Sequence, residues 1–388
     1  MSDTPLRVAV DARCLNTPHV RGMGKLLYEL IRRTAASGAV QWHLLADRPD
    51  RPMSAPTHHN VEGRIFETRG HRVHAWEQWS LPRAARAAGA DLLHAPATSA
   101  PFLQPLPTVV TIHDTIPWQG TDAAWPAGFY RDRLLPAAYA RAAAIITVSS
   151  TSRRDIVARW PALQPKLHVI PNGVDERYLE AQRDHRVIEV GGRVVTEPYL
   201  LYLGGADPRK RLSWALQTWT GAAAAVPSMV VCGLEQDAHE TARQMVPRLL
   251  RDRLHIAPFI SEDDMPRLYM RAAAVVYPSL YEGFGLPVVE AQAVGTPVLF
   301  SDVGSLTELK GPGAVVLPVD DLDAWVRTVT NIVTASRTPG PDRVARAWAR
   351  QYSWDACIDR TLTVYRSVAN QHLAHGTPAP RARQQATS

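Results

Sequence analysis

Two carboxylates, Glu282 and Glu290, stand with seven residues between them in the stretch YEGFGLPVVE, on either side of a Gly-Phe-Gly turn and a proline. Proline holds φ at a helical value and lacks the N–H that a first helical turn leaves unpaired, so Pro287 predicts a helix opening at that point and running through Ala291. The amides of Gly285 and Leu286 then lie at its positive end, where anions bind. Glu290, one turn in, suits either the helix dipole or a ligand. Glu282 lies between an apolar run and a glycine turn, where a carboxylate has little structural work. Two further residues offer chemistry. Lys210 is one of four lysines in a chain otherwise served by arginine, and His113 follows the run TVVTI. A lysine in a turn is either solvated or holds an anion, and a histidine at a strand end is either a hydrogen-bonded structural residue or a polar group turned to a ligand.

The elements that must position these residues are legible as apolar runs. LRVAVDAR, WHLLAD, DLLHAPA, TVVTIHD, AAIITVSS and KLHVIPN read as buried strands in the first half, and YLLYLGG, SMVVCGL, LHIAPFI, AAVVYPS, TPVLFSD and AVVLPV in the second. Amphipathic segments separate most of them, which predicts two doubly wound parallel α/β domains. The join is expected in the polar segment 180–197, giving domains 1–185 and 186–352. A Trp-led helical pattern, 353–372, and a disordered tail, 373–388, complete the chain. Ligands of open α/β sheets bind beyond the carboxyl ends of the strands. His113, Lys210 and Glu282 each follow a strand, one in the first domain and two in the second, so only a ligand in a cleft between the domains meets all three.

The 388 residues carry 46% hydrophobic and 21% charged residues, the balance of a soluble globular protein. Cys14, Cys232 and Cys357 are far apart and show neither disulfide-framework nor zinc spacing. No segment resembles a secretion signal or a membrane span, so a cytoplasmic protein is expected. The net charge of +6 is uneven: residues 1–190 hold 23 Lys+Arg against 18 Asp+Glu, and residues 191–388 hold 20 against 19. Basic faces in GKLLYELIRR, YRDRLLPAAYAR and TSRRDIVARW are either solvated surface or a contact with anionic lipid or polyanionic substrate. No nucleic-acid-binding signature accompanies them. Asp321-Leu-Asp323 has the spacing of a metal-binding acid pair, but it precedes an amphipathic helix, where aspartate is the expected cap.

Six segments in order, VDARCLNTPHVRGMGKLLYEL, TIHDTIPW, TVSSTSRRDI, VIPNGVD, YLGGADPRK and YPSLYEGFGLPVVEAQAVGTPV, resemble the retaining GT-B glycosyltransferases of glycosyltransferase family 4, also called the group 1 family. The resemblance covers about residues 8 to 372. It implies a GT-B fold, two Rossmann-like domains facing across a cleft, with the C-terminal helix crossing back to the first domain. It implies that Glu290 binds the donor ribose, that Glu282 reaches the transferred sugar, and that the amides of Phe284, Gly285 and Leu286 contact sugar and diphosphate. Lys210 takes the position that stabilises the leaving diphosphate. Gly22 and Gly24, within RGMG, resemble the family's glycine loop near diphosphate and acceptor, and His113 the histidine beside the transferred sugar. Gly205 departs from the pattern, since many members carry an arginine there, and Arg209 is the available substitute.

The expected activity is transfer of a sugar, with retention, from a nucleotide-diphosphate sugar to a hydroxyl of a glycan or lipid-linked acceptor. GDP-mannose is favoured as donor because the GGxDPRK-type loop is similar to that of mannosyltransferases of the family. Neither metal nor other cofactor is expected, the setting being polysaccharide or glycolipid assembly at the inner face of the cell membrane. The alternatives are a nucleotide-sugar-binding partner of another transferase, suggested by Gly205, or a GT-B sugar-nucleotide epimerase.

Overall fold

The computed structural model describes residues 5–18, 20, 22–67, 72–119, 128–184, 186–335 and 342–374. It divides into two compact units, Met1–Gly173 with Trp354–Ser388, and Val174–Ser353. The tail expected to be disordered lies, from residue 375, outside the described residues.

The first unit is built on seven parallel strands: β1 (Leu6–Asp11), β2 (Val40–Ala46), β3 (Val61–Ile65), β4 (Leu92–Ala95), β5 (Thr108–Thr111), β6 (Ala144–Thr147) and β7 (Leu167–Val169), in the order β3-β2-β1-β4-β5-β6-β7. Strands β1, β4, β5 and β6 are buried over most of their length, as strands of a parallel sheet covered on both faces are. The sequence reading misses β3: its residues VEGRI are mostly exposed at the sheet edge, so no apolar run marks it. The Trp354–Ala374 helix completes this unit's core, burying Trp354, Ile358 and Tyr365 against Trp42 and Leu92. Tyr365 and Thr111 bond opposite nitrogens of His94, at 2.7 and 2.9 Å.

The second unit carries β10 (Tyr199–Leu203), β11 (Ser228–Cys232), β12 (Leu254–Ala257), β13 (Ala274–Tyr277), β14 (Val298–Ser301) and β15 (Ala314–Leu317), all parallel, in the order β12-β11-β10-β13-β14-β15. These are the six runs read from the sequence. A short antiparallel hairpin, β8 (Glu189–Val190) and β9 (Arg193–Val194), turns through Gly191-Gly192 and lies beside β12, inside the segment expected to be a plain linker. The division between units falls at Gly173, ahead of that segment. The physical reason is the Glu176–Glu180 helix, which packs on the Leu286–Val294 helix and sets Tyr178 edge-on to Tyr269 at 5.5 Å, so these residues share the second unit's core. Asp321 accepts from the amide of Ala324 and caps the Leu322–Ala335 helix.

Candidate functional site

In each sheet the strand order reverses once, between β10 and β13 in the second unit and between β1 and β4 in the first. Loops diverge at such a point and leave room for a ligand. In the second unit the loop after β10 presents Arg209 and Lys210, and the loop after β13 presents Glu282. The amide of Leu280 donates to the carbonyl of Arg209 at 2.9 Å, tying the two loops together.

Glu282 is buried, and one of its oxygens, Oε1, gathers four donors: the hydroxyls of Tyr277 and Ser279, each at 2.8 Å, and Arg209 Nη1 and Lys210 Nζ, each at 3.0 Å. Its other oxygen, Oε2, has no partner among the described residues. Burial by itself raises a carboxyl pKa, but the Lys210 and Arg209 cations outweigh it and hold Glu282 below the ordinary range, ionised at neutral pH. Arg209 is held further by Asp207 at 3.0 Å and by the carbonyl of Tyr281, so it turns inward beside Lys210.

The turn that follows is fixed from below. Ser305 Oγ donates to the carbonyls of Glu282, at 2.6 Å, and Phe284, at 3.2 Å. Gly285 adopts φ of 111°, which disfavours any side chain, and a Cβ there would lie 2.6 Å from Leu306 Cδ2 and displace it. The Leu286–Val294 helix begins one residue before Pro287, which takes the second helical position. The amides of Phe284, Gly285 and Leu286 donate to nothing among the described residues and stand at the positive end of this helix. Glu290, buried one turn in, accepts from Tyr269 at 2.6 Å, apart from the Glu282 cluster.

Gly205 has φ of 64°, and a Cβ at that position would lie 2.7 Å from the carbonyl oxygen of Gly233. A side chain at 205 therefore strains this loop, and Arg209 is a cation that the loop turns toward Glu282.

His113 is in the first unit, just past β5. It is buried, with Nε2 2.8 Å from the carbonyl of Pro96, which fixes the Nε2–H tautomer. Burial lowers its pKa to about 4, so the ring is neutral near pH 7. Gly22 caps the Met23–Ala36 helix, and Gly24 packs where a Cβ would meet the carbonyl oxygen of Cys14 at 2.7 Å. Arg21 of the RGMG segment lies outside the described residues. Little in the sequence singles out Tyr277, Ser279, Ser305 or Tyr269: Tyr277 and Ser279 matter through Glu282 of their own loop, and Ser305 and Tyr269 through partners more than 20 residues away. Tyr277 alone left a trace, as a polar-tipped residue ending the run AAVVY.

The sequence model described as "Glycosyl transferases group 1" matches residues 185–347, and that described as "Glycosyltransferase Family 4" matches residues 20–178. The chain belongs to this glycosyltransferase family. Among its relatives is the O-antigen chain mannosyltransferase B of Escherichia coli, 27% identical over 250 residues, 61% of this chain and 64% of that protein. The chain thus spans less than two thirds of that relative's length. Sucrose-phosphate synthase from Thermosynechococcus elongatus shares the fold over 96% of this chain and all of its own, with a TM-score of 0.70 and 18% identity. So does Anabaena HepE, solved in complex with UDP-glucose, over 95% of this chain and 99% of its own, with a TM-score of 0.66 and 17% identity. Both units of this family member are the parallel, Rossmann-like domains of the GT-B fold.

Proposed function

We propose that this protein transfers a sugar, with retention, from a nucleotide-diphosphate sugar to a hydroxyl of a glycan or lipid-linked acceptor in polysaccharide or glycolipid assembly. The observation that carries this reading is the convergence of Lys210 and Arg209 on Glu282 beside a helix start with three unengaged amides. Two cations and a helix N-terminus suit a diphosphate, whose charge grows as the glycosidic bond breaks. The free Oε2 of Glu282 suits a sugar hydroxyl, and Glu290 suits the vicinal ribose hydroxyls. The structural neighbour solved with UDP-glucose supports a nucleotide-sugar donor, and the O-antigen mannosyltransferase among the relatives supports mannose as the transferred sugar, with GDP-mannose our favoured donor.

In the step proposed, the bond from the anomeric carbon to the phosphate oxygen breaks while the acceptor oxygen bonds that carbon on the same face. The acceptor proton passes to the departing phosphate oxygen, so no protein base takes part. Cationic side chains serve the leaving group, and no metal is required. His113 stays neutral and offers a hydrogen bond rather than a charge. Among the described residues no helix is long and apolar enough to cross a membrane. We place the protein in the cytoplasm, its basic first domain meeting the anionic inner face of the cell membrane. Several basic residues there are already paired, Arg32 and Arg33 with Glu29 and Arg131 with Asp132, so this contact is a weak one.

A panel of nucleotide sugars, with nucleotide release followed with and without acceptor and with and without EDTA, tests the reading. One donor should give acceptor-stimulated release that EDTA leaves unchanged. Release from no donor would overturn transfer in favour of a binding partner, and activity lost to EDTA and restored by Mn²⁺ would overturn the metal-free mechanism.

A further inference from the structure

The reversal point of the first unit's sheet holds a polar cluster that the donor chemistry leaves unused. Arg13 follows Asp11, the last residue of β1, and its Nε bonds both Asp11 oxygens, at 3.0 and 2.9 Å. Its Nη2 reaches Glu77 at 2.8 Å and Ser99, past the end of β4, at 3.0 Å. Its Nη1 has no partner among the described residues, and the side chain keeps 17% of its surface exposed. Glu77 and Asp11 are buried, at 1% and 4% side-chain exposure, so of the three charges only the guanidinium is offered to a ligand.

The cluster is held from several directions. Glu77 lies in the π-helical segment Arg72–Ser80 and accepts from Tyr130, which opens a second π-helical segment, Tyr130–Leu134. Gln78 donates to the same Glu77 oxygen at 3.1 Å. Such segments are uncommon and recur at functional sites. The cluster is also linked to His113: Ser99 follows Thr98, whose Oγ1 accepts from the His113 amide at 3.4 Å. Two carboxylates against one guanidinium leave the cluster at −1, within a domain whose sequence is basic. A phosphate at Arg13 would be repelled by both acids at short range, whereas an uncharged oxygen meets the free Nη1 donors without that penalty.

We propose that Arg13 is an acceptor-binding residue, held by Asp11, Glu77 and Tyr130 as positioning residues, and that it selects an uncharged, hydroxyl-bearing saccharide over a phosphorylated one. The inference rests on the transfer reading for its biological meaning but is tested apart from it. Methyl α-D-mannopyranoside and methyl α-D-glucopyranoside serve as uncharged probes, and mannose 6-phosphate and glucose 6-phosphate as charged ones. With whichever donor supports release, Arg13→Lys should raise the KM of the uncharged acceptor about tenfold or more, against a donor KM changed within about twofold, as expected for loss of a charge-assisted bond to one substrate. Glu77→Gln, which removes one negative charge, should shift the preference about tenfold toward the phosphorylated probe. That readout distinguishes specificity from general structural support. Thermal unfolding accompanies each variant, and Ser99→Ala, a smaller change, should give a KM effect of the same sign if either of the others fails to fold. If no donor turns over, the transfer reading fails, and equilibrium binding of the four probes to wild type and Arg13→Lys still decides the inference. Wild type preferring the phosphorylated probes, or variants with unchanged acceptor KM and preference, would overturn it.

Discussion

In the second unit one buried carboxylate, Glu282, is held by two cations, Arg209 and Lys210; in the first, one guanidinium, Arg13, is held by two buried carboxylates, Asp11 and Glu77. Both clusters lie at the carboxyl ends of parallel strands, at the one place in each sheet where the order reverses. The same backbone rule thus gathers side chains twice over, and those side chains give the two clusters opposite sense. Asp207, with 44% of its side chain exposed, moderates the first of them but is screened by solvent. An excess of positive charge suits a diphosphate whose charge grows during reaction, and an excess of negative charge suits a neutral hydroxyl compound. Charged groups in such clusters are costly to strand: breaking a buried pair leaves an uncompensated charge worth about 3–5 kcal/mol.

The contrast can be broken most forcefully at Lys210. Lys210→Ala is expected to lower kcat on the order of 10²- to 10³-fold, because the cation serves the transition state more than the bound donor. Steady-state kinetics on the folded variant measures this, and a rate near wild type would remove the cationic arm. Arg209→Ala should follow, at about 10²-fold in kcat. If Arg209 serves only to brace Tyr281 and Glu282, stability would fall while kcat per folded molecule held, so kinetics and urea unfolding on the same sample separate the two roles.

Gly205→Arg sharpens the comparison by placing the family's usual cation in this loop. With φ of 64° and the Gly233 carbonyl 2.7 Å from any Cβ, it should cost about 1–3 kcal/mol of stability and yield no faster reaction. A variant as stable as wild type with higher kcat would show that the loop readily rearranges. Glu290→Ala should weaken nucleoside-diphosphate binding about tenfold while leaving kcat at saturating donor little changed, as loss of a ground-state contact does. Undiminished affinity by calorimetry would refute the ribose assignment.

The smallest effect at neutral pH comes from the histidines of the first unit. Burial lowers His113 to about 4 and His94 to about 3, from an ordinary value of 6.5. Both are neutral when folded, whereas the unfolded chain takes up protons below pH 6.5, so stability is lost as pH falls from 6.5 through the folded values. Nothing is lost above 6.5. Unfolding followed between pH 7 and 4 should show this decline, and the pH-rate profile should carry no His113 ionisation near neutrality. A kinetic pKa near 6.5 abolished in His113→Gln would contradict the buried, neutral ring.

Much of the architecture was legible because strands buried on both faces must be apolar throughout. Runs such as AAIITV and YLLYL declare themselves without reference to any partner, and the residues just past them, His113, Lys210 and Glu282, could be placed at the carboxyl ends on that ground alone. Where burial does not write a pattern, the reading failed. VEGRI is an exposed edge strand, and the Gly191-Gly192 hairpin hid in a segment polar enough to pass for a linker.

The sequence by itself determined the alternation of strands and helices, the Gly285 turn before Pro287, the order of the six family segments and the three strand-end residues, since each depends on local propensity or on residues close in the chain. Only the tertiary structure decided that Arg209 turns inward to Glu282, that a side chain at Gly205 would strain its loop, that Glu176–Glu180 belongs to the second unit, and that Asp11, Arg13, Glu77 and Tyr130 form one cluster. Those facts are set by which loops a parallel sheet brings to its reversal point. Arg13 and Glu77 are 64 residues apart, and their meeting is decided by the strand crossovers and by the burial that makes a lone charge there too costly to leave unpaired.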